Sequence, residues 1–164
     1  MKYRITAKGL LKQNSKILFA EYEINKEVFY ALPGGEQNVG ESLVECLKRE
    51  FKEEANIEVV VGKLLLINEF ILSDPPSHTV ESWEKGIHQI ENIFEVATLP
   101  EDQFAQTGTL VDFGMSRLKW LSLDEMKEIK FYPERSLEWF FNTNNDREGI
   151  YTIKKPVTTM SKKS

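Results

Sequence analysis

The stretch LPGGEQNVGESLVECLKREFKEEANI, residues 32–57, constrains the chain more than any other. A Pro-Gly-Gly turn leads into a segment with helical apolar spacing, and Glu50, Glu53 and Glu54 crowd its end. Like charges at i and i+4 cost a helix about 0.2–0.5 kcal/mol, so Glu50 and Glu54 require an offsetting partner. Drawn at a helical period from Glu41 or Ser42 to about Ala55, Leu43, Val44, Leu47, Phe51 and Ala55 form one apolar stripe. Glu45, Lys48, Arg49 and Lys52 fall on the far side. Glu50 and Glu54 fall at the stripe's edge, with Glu53 just beyond Glu50. Carboxylates clustered where core meets solvent raise each other's pKa unless a cation neutralises them. A hard divalent cation with oxygen ligands, Mg²⁺ or Mn²⁺, suits that role. Gly34 and Gly35 permit close backbone approach and positive φ, which lets a main-chain carbonyl point at such an ion.

The surrounding sequence predicts a sheet. Residues 3–12, 16–22, 27–32, 57–72, 87–99, 116–123 and 149–155 read as strands, with 57–72 either one strand or two broken at Gly62. A short helix follows Asp124 as its cap, and another follows Pro133. Residues 73–86 and 100–115 read as loops, long enough to carry function. At 164 residues the chain suits one domain, taken as 1–155 with a poorly ordered tail at 156–164. The net charge of −5 comes with no basic stripe, which argues against a nucleic-acid partner. A lone cysteine, Cys46, and no long apolar run predict a cytoplasmic protein without a membrane span or structural disulfide.

The pattern Gly35, Glu41, Arg49-Glu50, Phe51, Glu53-Glu54, Asn56, Ile57 resembles the Nudix box in eight of its nine defined positions. The preceding YALPGG and the later LKWLSLDEM are similar to the family's usual surroundings of the box. The resemblance implies an α/β fold, a Nudix-like α/β/α sandwich around a mixed β-sheet. It implies a metal-dependent pyrophosphohydrolase that cleaves a nucleoside diphosphate linked to another group by attack of water on phosphorus. Glu50 and Glu54 would ligate Mg²⁺ or Mn²⁺, Glu53 would be ligand or base, and the Gly35 carbonyl a further ligand. Arg49 would orient a glutamate, and Glu41 would be mainly structural. An additional acid outside the box is open among Glu69, Glu91, Glu101 and Asp112.

Two positions depart from the family. Asn56 replaces the box's last glycine, and asparagine tolerates the left-handed conformation next best, so a helix cap can survive. Glu21 stands where many relatives carry a basic residue near phosphate. With the acidic or neutral loops 73–86 and 100–115 it suggests an acidic rim, disfavouring RNA ends and long polyphosphates. A nucleoside triphosphate or nucleotide sugar is then the expected substrate, with Tyr30 as the aromatic nearest the turn to hold its base. His78 and His88 lack ligand spacing, Cys46 reads as packing, and Trp83, Trp120 and Trp139 read as core or interface. A second subunit pairing with the 57–99 hairpin would give a homodimer. The rival reading is a catalytically silent nucleotide-binding regulatory domain of the same fold, which should have lost box acids. An isoprenyl diphosphate isomerase would need a pocket cysteine, whereas Cys46 lies inside the box helix.

Overall fold

The computed structural model describes residues 2–24, 26–72, 86–99, 108, 114–131 and 151–154, the last four as backbone. The helix expected after Pro133, most of both long loops and the tail lie outside these residues. β1 (Lys2–Gln13) organises the sheet. Lys2–Leu11 run parallel to β6 (Ile87–Leu99), while Thr6–Lys8 pair on the other side with the short β4 (Gly34–Glu36). β5 (Glu58–Leu72) lies antiparallel to β6 and parallel to β8 (Tyr151–Lys154). β5 is one strand, irregular between Val61 and Leu66 rather than broken.

β1 ends in a tight hairpin whose two turn residues, Asn14 and Ser15, have φ of 48° and 61°, the geometry that matches the twist of flanking strands. β2 (Lys16–Ile24) follows, flanked by β3 (Glu27–Ala31) and β7 (Met115–Ser122). α1 (Leu43–Ala55) lays Cys46, Leu47, Phe51 and Ala55 on Ala7, Leu11, Val59 and Val96. On the opposite side of the sheet, Leu66 and Ile93 meet Ile17, Phe19, Tyr30, Leu32 and Leu121 in a second core. The result is an α/β sandwich built on a mixed sheet.

The buried face of α1 is turned from the stripe drawn on hydrophobicity alone. Val44 is 41% exposed, and its place is taken by Cys46, which is fully buried together with Glu50 and Glu54. Both helix starts use reciprocal capping boxes. The Ser42 hydroxyl accepts from the Glu45 N–H while the Glu45 carboxylate accepts from the Ser42 N–H. At α2 (Leu123–Met126) the cap is Ser122, paired with Glu125, and not Asp124. A serine three residues before a glutamate satisfies two orphan N–H groups, which a single aspartate does not.

α1 ends at Asn56 with φ 51° and ψ 33°, the left-handed conformation. A β-branched side chain is strained there. Asn56→Gly should therefore leave the melting temperature level or slightly raised, and Asn56→Val should cost about 1 kcal/mol or more, both read by thermal denaturation. An unaltered melting temperature for the valine variant would contradict this.

Candidate active site

The Pro-Gly-Gly turn and the glutamate helix meet because β4 pairs with β1 beneath α1. The Gly34 N–H donates to Glu54 Oε2 at 2.8 Å. A Cβ at Gly35 would overlap the Glu50 carboxylate, so glycine is what lets the backbone and that acid share the space. Lys8, next along β1, donates from Nζ to the Gly34 carbonyl. Glu50 and Glu54 are 6% and 1% exposed, and buried carboxylates persist only when well paired.

Arg49 supplies much of that pairing. Its Nε and Nη2 grip both oxygens of Glu41 at 2.8 and 3.1 Å. Nη1 donates to Glu50 Oε1 at 2.7 Å and to Glu53 Oε2 at 3.1 Å, and Nη2 also reaches the Glu36 carbonyl. Hydrogen bonds from Arg49 hold the Glu41 carboxyl below the usual carboxylate range, with burial opposing. Cys46 lies beneath, fully buried, its thiol pushed up to about 11 chiefly by burial. It is packing, not a nucleophile. Among the described residues no three His, Cys, Asp or Glu side chains form a ready-made cation cage. Yet the donor set at this spot is all hard oxygen, and the Glu50 carboxylate lies directly against the Gly35 backbone, which fits Mg²⁺ or Mn²⁺ chemically.

Gly108, the one described residue between 100 and 113, docks on the end of the same helix. Its N–H donates to the Glu54 carbonyl at 2.6 Å, one of the last-turn carbonyls that the helix itself does not use up. A Cβ there would overlap the Glu53 carbonyl. Of the acids outside the box, Glu69 contacts His88 Nε2 at 2.6 Å. Glu91 is buried on β6 and its carboxyl is raised by burial, with Lys8, Asn68 and Arg4 opposing. Glu101 and Asp112 lie outside the described residues.

Glu21 is not a bare acid. Arg117 donates to both its oxygens, Nε at 2.8 Å and Nη2 at 3.2 Å, and Ser116 and Tyr30 add their hydroxyls at 3.1 and 2.7 Å. Burial raises the Glu21 carboxyl, but these bonds outweigh it and hold it below the ordinary range. The basic group absent from β2 is thus present next door on β7, with Lys119 over the Tyr30 ring. Tyr30 itself is 7% exposed and part of the second core. Its hydroxyl is spent on Glu21, so what it offers to this side of the sheet is the ring. Arg117 was missed in the sequence because only cross-strand register brings it to Glu21, and Gly108 because nothing local marks it.

Lysine cannot reproduce the five donors of the Arg49 guanidinium. Arg49→Lys should therefore cost about 2 kcal/mol in denaturant unfolding and lower turnover as well. Gly108→Val should push its segment off the helix end and reduce kcat roughly tenfold to a hundredfold, the scale of a small misplacement at a reacting centre. Wild-type turnover in that variant would show the contact to be dispensable.

The family model for the NUDIX domain matches residues 2–140. No curated protein sequence matches the chain. Solved structures share the fold. A NUDIX hydrolase from Nitrosomonas europaea superposes with a TM-score of 0.66 at 17% identity, covering 95% of this chain and 81% of that one. A mutator MutT protein from Bacillus halodurans gives 0.63 at 19% identity, covering 93% and 89%. A UDP-X diphosphatase gives 0.60 at 18% identity, covering 94% and 68%. With its glutamate helix seated on a Gly-Gly turn and the family match spanning nearly all of the sheet, the chain belongs to the Nudix domain family, the hydrolases of phosphoric anhydride bonds.

Proposed function

We propose that this protein is a divalent-metal-dependent pyrophosphohydrolase acting on a nucleoside diphosphate linked to another group, of the nucleoside triphosphate or nucleotide sugar class. The observation that carries this reading is the contact of Glu50 and Glu54 with the Gly34–Gly35 backbone while Arg49 spans Glu41, Glu50 and Glu53. Glu50, Glu53, Glu54 and the Gly35 carbonyl would hold Mg²⁺ or Mn²⁺. When bound, the cation would neutralise phosphate charge and lower the pKa of a coordinated water.

The chain's own residues do the rest. Arg49 fixes the carboxylates in position, and Glu41 fixes Arg49 in turn. Glu53, with a side chain 32% exposed against 8% for Glu50, is the acid best able to accept a proton from the attacking water. The Gly34 N–H and the Lys8 ammonium keep the turn closed on the helix. Water adds to phosphorus, the anhydride P–O bond breaks, and the leaving phosphate departs with the bonding pair. The structurally similar UDP-X diphosphatase supports a substrate of this kind. A silent regulatory domain is disfavoured because all four box glutamates and Arg49 are present and bonded to one another or to the turn.

Glu54→Gln keeps a carbonyl oxygen for the Gly34 N–H and should keep the fold, yet lower kcat by about a hundredfold or more, the scale of losing a key electrostatic group. EDTA should silence the wild type, and Mg²⁺ or Mn²⁺ should restore it. Full hydrolysis of nucleotides in chelator would sink the metal mechanism.

A further inference from the structure

Sheet register assembles a second polar group on the face away from α1. Arg4, Thr6 and Lys8 share that face with their parallel partners Gln89, Glu91 and Ile93 on β6. Phe70, Asn68 and Leu66 on β5 complete it. Leu66 and Ile93 pack with Phe19, Tyr30 and Leu121, so the row faces the wall that carries Glu21, Tyr30 and Arg117. Thr6, Asn68, Gln89 and Glu91 are all at most 4% exposed. A buried polar row is tolerated only when its members are satisfied. Gln89 Nε2 donates to Thr6 Oγ1 at 3.2 Å, and Asn68 Nδ2 comes within 3.5 Å of Glu91 Oε1. Gln89 Oε1, fully buried, accepts nothing among the described residues. An orphan acceptor of this kind calls for an explanation, and a ligand donor provides one.

We propose that Gln89 reads the substrate's base, its Oε1 accepting a hydrogen bond from an exocyclic amino group, so that the cleft prefers an amino-substituted nucleobase to its oxo counterpart. This rests on the nucleotide-hydrolase reading above. Glu91, two residues on and on the same face, adds acceptor oxygens, an environment that suits N–H₂ and repels a carbonyl. Leu66, Phe70 and Ile93, all buried, are the apolar neighbours of this row on the same face. The row is continuous with the catalytic turn, since Thr6 pairs with Glu36 on one side and with Glu91 on the other. Two strand spacings, roughly 10 Å, separate β4 from β6, which a nucleotide spans between its diphosphate and its base. A site built to bond an N–H rejects the analogue that lacks it strongly, because the site's own polar group is then left unpaired.

The test compares CTP with UTP and ATP with ITP, where an oxo group replaces the amino group, and GTP with ITP, where the 2-amino group is absent. The wild type should favour the amino member of at least one pair by about tenfold or more in kcat/KM. Gln89→Met should reduce that ratio below about threefold, mainly through KM, while the melting temperature holds or rises because the orphan acceptor is gone. Thr6→Val, which frees the amide to turn, should move the ratio the same way. Ratios near one in all pairs, an oxo preference, or an intact ratio in Gln89→Met would overturn the proposal and leave the hydrolase reading standing. If no nucleotide is hydrolysed with Mg²⁺ or Mn²⁺, that reading fails, and thermal shifts with CMP and UMP, AMP and IMP, and GMP and IMP judge Gln89 alone. Greater stabilisation by an amino member, lost in Gln89→Met, supports the role; equal or absent stabilisation overturns it.

Discussion

The Arg49 guanidinium is the contact on which the rest of the site depends. It binds Glu41, Glu50, Glu53 and the Glu36 carbonyl at once, tying the loop before α1, the helix itself and β4 into one unit. Each buried carboxylate carries a desolvation penalty of several kcal/mol. Without the guanidinium that penalty falls on the helix least able to bear it, since Glu50 and Glu54 already repel at i and i+4. The same burial keeps Glu50 and Glu54 out of bulk water, the setting in which a carboxylate interacts most strongly with a cation. On the function proposed above, the charge that threatens the helix is also its working part, and Arg49 reconciles the two.

Much of this was legible in the sequence because it is local. Seven of the eight strands among the described residues, the helix from Ser42 to Ala55 and the turn at Gly34 follow from periodicity and turn chemistry within short windows. The left-handed Asn56 was readable too, from a single residue type at a helix end. The failures have physical causes. The stripe drawn from hydrophobicity left Glu50 and Glu54 at its margin and included Val44, whereas the packed face takes in both acids and Cys46. Hydrophobicity cannot anticipate that a glycine backbone offers acids a polar seat inside the core. The Arg117–Glu21 pair and the Gly108–Glu54 contact lie 96 and 54 residues apart in sequence; cross-strand register makes the first and tertiary docking on the helix end makes the second.

The two cores on either side of β1 divide the labour. Beneath α1, Ala7, Leu11, Leu47, Phe51, Val59 and Val96 pack as an apolar cluster beside the seat of Glu50 and Glu54, which serves stability. Across the sheet, the second core of Phe19, Leu66, Ile93 and Leu121 is bordered by the polar row of Thr6, Gln89 and Glu91 and by Glu21 with Arg117. Such a layout sacrifices stability, because polar groups removed from water return little unless paired. Reading the edge of an apolar ring, the role proposed for Gln89, would call for this mixture.

Net charge misleads about that cleft. The chain is acidic overall, at −5, and Glu21 alone suggests a wall hostile to phosphate. In the fold, the faces flanking the second core carry Arg4, Lys8, Arg117 and Lys119, while Glu21 is held by Arg117 and Glu36 by Lys2 and Arg4. Charges beyond a Debye length of about 8–10 Å are screened, so an anion close to this face feels these nearby pairs and cations, not the sum over the surface. An acidic protein can thus present phosphate with a local field that is neutral to positive, provided each facing acid is matched across a strand. Strand register, by setting Arg117 beside Glu21, decides the sign of that field.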